Sequence, residues 1–402
     1  MKVKIIQITA SYKPAYIYGG PIQSVSKLCE ALVDYKALDL SKVGEINPRE
    51  ISVLTTTANG KQELNIEGGE EQIIDGVKVT YFRRWTKDHT HFSPPLLIRL
   101  NKIISNGKRS KNNEQIIVHI HAWWNLVSVL SCLVAWIHKI PVILSPRGMI
   151  TPYTKTNRNS YFKKILHATI GKKLLKYCHI HATSEMEKID IEGIIKAKSV
   201  TVIPNLVKIR PSLPINNNRE SDELFKMIFL SRIEEKKGLE LLFESLKNVN
   251  FPWTLTIAGS GSENYIKSLK TIAENLKLVP YINWVGQVAN ETKFDLLAEH
   301  DLCILTSYSE NFANVIPESL SVGTAVLLSD KVGLKDYVEA KNSGWITALG
   351  TTEIEKNLVA AYQDISKRNF IRKNAPSIIR NDFDDDYLVK RYLDLYTSIA
   401  HE

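Results

Sequence analysis

The sequence predicts an α/β protein with two doubly wound parallel sheets, and three observations support this fold class. Apolar runs of strand length alternate with segments of helical spacing along both halves of the chain. The connections between them are short and rich in glycine and proline. The 402 residues, 44% of them hydrophobic, suffice for two cores. We expect Rossmann-like domains at residues 1–205 and 224–381.

The N-terminal half is predicted to begin with a strand at residues 3–8, which leads to Gly19, Gly20 and a helix at about 22–33. Paired glycines before a helix let the backbone approach a ligand closely, although a plain strand-to-helix turn is the alternative. Residues 101–113 are polar and basic, which predicts a loop after a short helix. The remaining predicted strands are 51–55, 77–82, 116–121, 141–145 and two that begin at Cys178 and Val200.

The C-terminal half repeats the alternation after a predicted linker at residues 206–223, which holds two prolines and three consecutive asparagines. Helices are predicted at 239–248 and up to about 276. Residues 382–402 are expected to form a helix that packs back on the N-terminal domain. The predicted strands of this half are 226–230, 254–258, 282–285, 302–305, 326–329 and 344–346.

Residues 306–321 directly follow the predicted buried strand 302–305. Ligands bind at the carboxyl ends of strands in an open α/β sheet. Glu310 lies in the predicted loop, and Glu318 lies in the first turns of a helix with Asn314 as its N-cap. The helix N-terminus favours a phosphate, while carboxylates accept hydrogen bonds from hydroxyl groups. We therefore predict that this stretch binds a nucleotide sugar.

Arg232 and Lys237 lie five residues apart in the turn after strand 226–230. Fixed cations there would stabilise the negative charge of a departing nucleoside diphosphate, and two solvated surface charges are the alternative. The following turn contains Gly259-Ser-Gly261, in which Asn264 replaces the third glycine of a dinucleotide-binding fingerprint. We therefore favour a diphosphate clamp over a nicotinamide site.

His121 ends the predicted strand 116–121 and precedes Trp123 and Trp124. A histidine at a strand's carboxyl end is a candidate ligand or proton-transfer group, although a lone histidine is usually structural. The two tryptophans are predicted to form a sugar-stacking surface. Arg147 follows strand 141–145, and its guanidinium fork suits phosphate or carboxylate.

The net charge of +9 is concentrated between residues 155 and 176, which carry seven basic residues and no Asp or Glu. Apolar residues fall between the cations at helical spacing, as in a basic amphipathic helix. Such a helix suits an anionic membrane surface. The alternatives are a solvated face over a core stripe and nucleic-acid binding. Because no nucleic-acid-binding motif accompanies the charge, we predict a membrane partner and no nucleic acid.

Four cysteines, none in a CxxC pair, predict reduced thiols in a cytosolic protein. The N-terminus has too few apolar residues for a signal peptide, and the apolar region 126–137 is shorter than the roughly twenty residues that span a bilayer. No Asp-x-Asp has the context of a metal site, and the acidic run 384–386 is more typical of a helix start, so we predict no metal. We also predict no cofactor. The expected location is the cytoplasm, at the inner face of the plasma membrane.

The motifs together resemble the family-4 retaining glycosyltransferases of the GT-B fold, and the resemblance covers almost the whole chain. Pro146-Arg-Gly-Met and His181-Ala-Thr-Ser-Glu resemble the subset that builds bacterial surface polysaccharides. The motifs that carry the family resemblance are Gly19-Gly20, His121, Ile203-Pro-Asn205, Ser231-Arg-x4-Lys237-Gly, Ala258-Gly-x-Gly, Val285-Gly and Glu310-x7-Glu318.

The resemblance implies two Rossmann-like domains that face each other across a cleft, with the donor against the C-terminal domain. Arg232 and Lys237 would then hold the diphosphate, and Glu318 the ribose. Glu310 would read the sugar hydroxyls. The backbone of Asn311, Phe312 and Ala313 would also contact the sugar, and His121 would lie beside it. The base would contact Gly259, Val285 and Val288. The phosphates would be approached by Gly19 and Gly20.

Ala313 departs from the family, which usually has glycine after the aromatic residue. If this position takes a positive φ, alanine costs about 1 kcal/mol. The implied reaction transfers a sugar from a UDP or GDP sugar to a hydroxyl of a glycan or lipid-linked acceptor, with retention of configuration. The leaving diphosphate would accept the acceptor's proton. Alternatives are a non-catalytic basic protein that binds membrane or nucleic acid, and an inverting GT-B transferase or epimerase.

Overall fold

The computed structural model describes residues 2–35, 50–109, 114–152, 170–210 and 224–402. The chain divides into two compact units: unit 1 comprises Met1–Leu206 with Asp385–Glu402, and unit 2 comprises Val207–Asp384. Each unit contains its own parallel sheet flanked by helices, which confirms the predicted fold class. Residues 155–169 of the predicted basic segment and 211–223 of the predicted linker lie outside the described residues.

Unit 1 contains an eight-stranded sheet whose strands are parallel except for the antiparallel edge strand β5. The strand order is β10-β9-β8-β7-β1-β2-β6-β5, and β3 pairs separately with β4. The strands are β1 (Lys2–Ile8), β2 (Ser52–Thr56), β3 (Ala58–Asn59), β4 (Gln62–Glu63), β5 (Glu71–Ile74), β6 (Val77–Phe82), β7 (Glu114–His121), β8 (Val142–Ser145), β9 (His179–Ala182) and β10 (Ser199–Val202).

The helices of unit 1 cover this sheet and bury one face each. Their bounds are α1 (Gly20–Asp34), α2 (Pro94–Arg109), α3 (Leu126–Ile137), α4 (Lys172–Tyr177) and α5 (Glu185–Glu192). The predicted loop at 101–113 is wrong as far as Arg109, because α2 continues through it. Leu96, Leu100 and Ile104 recur every four residues and are fully buried, so burial of this stripe outweighs the polar composition.

The C-terminal helix (Asp385–Ala400) belongs to unit 1. Its Tyr392 and Tyr396 are fully buried. Lys27 of α1 forms an ion pair with Asp385, and Arg391 donates a hydrogen bond to the Val202 carbonyl at 2.6 Å. The helix is therefore anchored to α1 at its start and to strand β10 of the sheet further along.

Unit 2 contains a six-stranded, fully parallel sheet of order β13-β12-β11-β14-β15-β16. Its strands are β11 (Phe225–Leu230), β12 (Trp253–Ala258), β13 (Ile282–Gly286), β14 (Leu302–Leu305), β15 (Ala325–Ser329) and β16 (Gly344–Thr347). Its helices are α6 (Leu239–Leu246), α7 (Glu263–Asn275), α8 (Lys293–Ala298), α9 (Val315–Ser321), α10 (Lys335–Ala340), α11 (Thr351–Gln363) and α12 (Ile365–Asp382).

Among the parallel strands, the order of each sheet reverses once, between β1 and β7 in unit 1 and between β11 and β14 in unit 2. Such a topological switch point opens a crevice beyond the carboxyl ends of the two strands, where ligands bind. His121 ends β7, and Arg232 and Glu310 follow β11 and β14. Predicted site residues of both units therefore lie at a switch point. Among the described helices, none has both the length and the apolar composition that a bilayer span requires.

Candidate functional site

Lys237 and Glu310 form a partly buried ion pair beyond the carboxyl ends of β11 and β14. Lys237 is 5% exposed, and the side chain of Glu310 is 16% exposed. Burial alone would raise the pKa of Glu310, but the Lys237 ammonium holds it below its usual value. Burial lowers the pKa of Lys237 in spite of its partner. The pair fixes a cation and a carboxylate side by side at the switch point.

Backbone hydrogen bonds hold the loop that carries Glu310 from two sides. The amide of Tyr308 donates to the Lys236 carbonyl at 2.8 Å, on the β11 side. The amide of Glu310 donates to the Lys331 carbonyl at 3.1 Å, and the amide of Gly333 donates to the Glu310 carbonyl at 2.9 Å, on the β15 side. Because both flanking turns are tied to this loop, the carboxylate projects from a rigid support.

Glycines allow the turns of unit 2 to pack backbone against backbone. Gly238 has φ +67°, and a Cβ atom there would lie 2.3 Å from the Thr306 carbonyl oxygen. Gly259 has φ +147°, and a Cβ atom there would lie 1.8 Å from the Ser231 carbonyl oxygen. The glycines of Gly259-Ser-Gly261 therefore have a structural role: they allow this turn to pack closely against the turn that carries Arg232.

Glu318 of α9 is also buried and is paired with Lys293 of α8 at 2.6 Å. Burial raises the pKa of Glu318, and the Lys293 ammonium opposes this shift. Sequence spacing did not indicate Lys293, because it lies 25 residues from Glu318 in another helix. Arg232 is more accessible: its side chain is 42% exposed and lies 2.6 Å from Glu234.

The predicted donor loop between Glu310 and α9 has an unusual backbone. Ala313 has φ +63°, so the alanine takes the left-handed conformation that favours glycine. Phe312 is 2% exposed, and its ring packs edge to face against Phe383 at 6.2 Å between ring centroids. A sugar could therefore meet the backbone at Phe312 but not its ring. Asn314 occupies the N-cap position of α9 as predicted, but its side chain accepts no capping hydrogen bond from the helix.

The turns predicted to meet the base and the phosphates are accessible and contain left-handed glycines. Val285 is 39% exposed at the end of β13, and Val288 is partly exposed in the following turn. In unit 1, Gly19 has φ +68° and is the N-cap of α1, whose first residue is Gly20. Because a glycine N-cap has no side chain, the first turn of α1 is approachable.

His121 and Arg147 are brought together in unit 1. His121 is 1% exposed, and its Nε2 lies 2.7 Å from Gln7 Oε1, while Arg147 Nε donates to its Nδ1 at 3.4 Å. Arg147 has φ +52° and also donates to Ser24 Oγ at 2.9 Å and to Asn205 Oδ1 at 2.7 Å. Burial lowers the pKa of His121 well below its usual value, so its ring is neutral.

The carboxylate of Glu187 connects the two motifs that resemble polysaccharide-building enzymes. It accepts hydrogen bonds from the amide of Gly148 at 2.7 Å and from the amide and hydroxyl of Thr183 at 2.7 and 3.0 Å. Ser184 Oγ caps α5 by accepting from the Glu187 amide at 3.1 Å. This connection fixes the turn from which the Arg147 side chain extends.

Trp123 does not provide the predicted stacking surface, because it is fully buried in the unit 1 core. Trp124 is partly exposed, and its Nε1 donates to the Met149 carbonyl at 2.5 Å. The sequence pattern did not indicate Trp85, which is 71% exposed shortly after β6. Its amide donates to the Phe92 carbonyl at 2.7 Å, and the two rings meet edge to face at 5.9 Å. Trp85 therefore presents a supported aromatic ring near the carboxyl edge of the sheet.

Among the residues that the structure describes, no group of three or more His, Cys, Asp or Glu side chains is arranged to hold a metal ion. The four cysteines are buried free thiols.

Known families match both units. Residues 49–210 match the family described as Glycosyltransferase Family 4, and residues 214–377 match the family described as Glycosyl transferases group 1. Together these matches cover about four fifths of the chain. The chain belongs to the family-4 glycosyltransferases of the GT-B fold, and it is an enzyme of the glycosyltransferase class. The predicted family is thereby confirmed, and a non-catalytic protein is not favoured.

Several relatives and solved structures are similar to this chain. The alpha-galactosylglucosyldiacylglycerol synthase of Streptococcus pneumoniae is 24% identical over 65% of this chain and 67% of its own length. The HepE structure from Anabaena with UDP and glucose is 18% identical, covers 98% of this chain and 99% of its own, and gives a TM-score of 0.66. The structure of the lipopolysaccharide outer core galactosyltransferase WaaB in its apo form is 16% identical to this chain. The match covers 99% of this chain and 100% of WaaB, with a TM-score of 0.68.

Proposed function

We propose that this enzyme transfers a sugar from a UDP or GDP sugar to a hydroxyl of a lipid-linked or glycan acceptor, with retention of configuration. The product would serve surface polysaccharide or lipopolysaccharide synthesis. The observation that carries the proposal is the partly buried ion pair of Lys237 and Glu310 at the switch point of unit 2. Lys237 supplies a cation for a diphosphate, and Glu310 supplies a hydrogen-bond acceptor for hydroxyl groups. Both side chains extend from rigid turns. A nucleoside-diphosphate sugar requires this combination.

In the proposed donor site, Lys237 and the accessible Arg232 hold the diphosphate. Their charges stabilise the leaving group as it develops in the transition state. Glu310 accepts hydrogen bonds from the sugar hydroxyls, supported by the backbone of residues 311–313. Glu318 binds the ribose with the oxygen that does not contact Lys293. The base lies near Gly259, Val285 and Val288. Roles for Gly19, Gly20 and His121 follow from the family resemblance.

The proposed chemistry needs no protein nucleophile and no metal. The bond between the sugar and the diphosphate breaks, and the acceptor oxygen bonds to the same face of the anomeric carbon. The acceptor proton passes to the departing diphosphate, which Arg232 and Lys237 hold next to it. An inverting enzyme would give the opposite anomer, so NMR of the product decides between the two.

The acceptor is proposed to bind unit 1. Trp85 offers an exposed ring for a sugar face, and Arg147 and Trp124 are further candidates near β7 and β8. The name of the pneumococcal relative describes a glycolipid product, which supports a lipid-linked acceptor here. Residues 155–176 would hold the enzyme on an anionic membrane surface, at the cytoplasmic face. Sedimentation with vesicles containing anionic lipid tests this, and absence of binding at low salt would refute it.

Donor binding is tested by thermal unfolding with UDP, GDP and ADP. A nucleotide at a hundred times its Kd stabilises the native state by about 2.7 kcal/mol. We expect UDP or GDP to raise the melting temperature of the wild type, and Lys237→Ala to abolish the shift. No shift with any of the three nucleotides would contradict a nucleotide-sugar site.

A further inference from the structure

A single hydrogen-bonded chain of buried side chains runs through unit 1 from His121 to the backbone of Ile203. We call it the polar chain. Its consecutive contacts are His121 Nε2 to Gln7 Oε1 (2.7 Å), Gln7 Nε2 to Tyr396 OH (3.0 Å), Tyr396 OH to His119 Nδ1 (2.8 Å), His119 Nε2 to Ser145 Oγ (2.7 Å), Ser145 Oγ to His181 Nδ1 (2.7 Å) and His181 Nε2 to the Ile203 carbonyl (2.8 Å).

The Ile203 carbonyl determines the direction of every one of these bonds. A carbonyl only accepts, so a neutral His181 must carry its proton on Nε2 and accept at Nδ1 from Ser145. Ser145 has one proton, so it must accept from His119 Nε2. His119 Nδ1 then accepts from Tyr396, and Tyr396 accepts from Gln7 Nε2.

At the other end, Gln7 has only its Oε1 left for His121, which must therefore donate from Nε2. The Nδ1 lone pair of His121 then points at the Arg147 guanidinium, at 3.4 Å from both Nε and one terminal nitrogen. The reverse tautomer would set an N–H against this cation. The Ile203 carbonyl at one end and the Arg147 guanidinium at the other therefore require the same direction of hydrogen-bond donation along the polar chain. Burial lowers the pKa of all three histidines, which keeps them neutral.

The same short motif supplies both ends. Ile203 ends the polar chain, and Asn205, two residues later, accepts from Arg147 at 2.7 Å. Tyr396 is the link that comes from the C-terminal helix, the last segment of the chain. Without its hydroxyl, Gln7 loses the contact that fixes its amide orientation, and only the long Arg147 contacts hold the His121 tautomer.

We propose that Tyr396 is a positioning residue for sugar transfer: through Gln7 it fixes the Nε2–H tautomer of His121 and hence the arrangement of His121 and Arg147 at the switch point of unit 1. This inference rests on the proposed function only in assigning His121 and Arg147 to the reaction. The tautomer itself is independent of that assignment.

The test compares Tyr396→Phe with Tyr392→Phe, a matched control on the same helix. The Tyr392 hydroxyl lies 3.1 Å from His181 Nε2, which already donates to Ile203, so it is not a link in the polar chain. The tautomer of His121 is read from ¹⁵N NMR of histidine-labelled protein, with His121→Gln for assignment. Transfer is measured as kcat and as KM for donor and acceptor.

In Tyr396→Phe we expect a second His121 tautomer and a fall in kcat of about five- to tenfold, the rate equivalent of one lost hydrogen bond. Donor KM should be unchanged, and Tyr392→Phe should match the wild type in both readouts. An unchanged His121 tautomer in Tyr396→Phe would overturn the inference. A changed tautomer with an unchanged kcat would overturn the positioning role.

If Tyr396→Phe does not fold, Gln7→Leu, which removes the adjacent link, is put to the same measurements and must give the same result. Failure of the proposed function is distinguishable, because it would appear as no transfer by the wild type from any donor sugar, whereas the tautomer of His121 is read by NMR without turnover.

Discussion

Lys237 and Glu310 lie 73 residues apart in the chain, yet they form one partly buried ion pair because β11 and β14 are neighbours in the unit 2 sheet. Lys237 belongs to a one-turn helix that ends at the left-handed Gly238, and Glu310 belongs to a loop that pairs with Val332 in the turn after β15. Each side chain is thus held by a different part of the sheet. A pair that is positioned before a ligand binds needs little reorganisation during reaction.

Replacing Glu310 by glutamine should lower kcat by about a hundred- to a thousandfold, as expected for a lost preorganised electrostatic contact. The amide has the shape of the carboxylate but no charge for Lys237 or for a hydroxyl donor. Asp295→Asn is the matched control, since it removes one carboxylate from the accessible Asp295–Arg210 pair of the same unit. Steady-state kinetics measure both variants. Near wild-type turnover by Glu310→Gln would remove Glu310 from the site.

Replacing Ala313 by glycine should stabilise unit 2 by about 0.5–1 kcal/mol, because φ +63° is strained for alanine and not for glycine. Ala273→Gly is the control, at a buried position inside α7, where glycine should destabilise by about 1 kcal/mol. Urea unfolding measures both. A loss of stability in Ala313→Gly would show that the left-handed conformation carries no strain.

Unit 1 should lose stability as the pH falls below about 6.5, the usual pKa of histidine. Burial first, and then the Arg147 guanidinium, lower the pKa of His181 to about 3, although its bond to Ile203 opposes the shift. Because the folded pKa is the lower one, the unfolded chain binds the extra proton, and stability falls with pH until the folded pKa is reached.

Each histidine that the fold keeps neutral adds up to about 1.4 kcal/mol per pH unit to the slope of the free energy of unfolding against pH. Native-state hydrogen exchange of β7 amides between pH 5 and 6 measures the slope. His181→Gln should reduce it by about one histidine's share. An equal slope in His181→Gln and wild type would mean that His181 is not held neutral.

Trp85→Ala should raise the acceptor KM by about tenfold and leave the donor KM unchanged, because loss of a stacking ring weakens binding of one substrate only. Trp136→Ala is the matched control. Trp136 is 41% exposed near the end of α3, which begins after the carboxyl end of β7 and so runs toward the opposite edge of the sheet. Equal effects of the two substitutions on acceptor KM would argue against an acceptor contact at Trp85.

The sequence predicted the positions of Arg232, Lys237 and Glu310 at strand ends because parallel strands produce continuous apolar runs, such as 302–305, which are easily recognised. The structure has β14 at the same residues. General rules of α/β topology reduce the number of possible strand orders but do not select one. Apolar runs therefore locate the strand ends that carry the site, whereas the switch points follow from the strand orders of the folded protein.

Side-chain direction and pairing were less predictable. Trp123 turns into the core after Ala122, whose φ of +70° ends the strand's alternation, and no residue type there signals that turn. Lys293 reaches Glu318 from another helix, and the polar chain joins residues up to 389 positions apart. Such contacts depend on how helices seat on the sheet, which local patterns do not encode.

The central claim is sugar transfer through a donor site on unit 2, and it is tested most directly by incubating the wild type and Lys237→Ala with UDP, GDP and ADP sugars and measuring release of the nucleoside diphosphate. We predict release from a UDP or GDP sugar by the wild type, and at least a hundredfold slower release by Lys237→Ala, as expected when a fixed charge at the leaving group is lost. Equal release rates for the two proteins on the best donor would contradict the account.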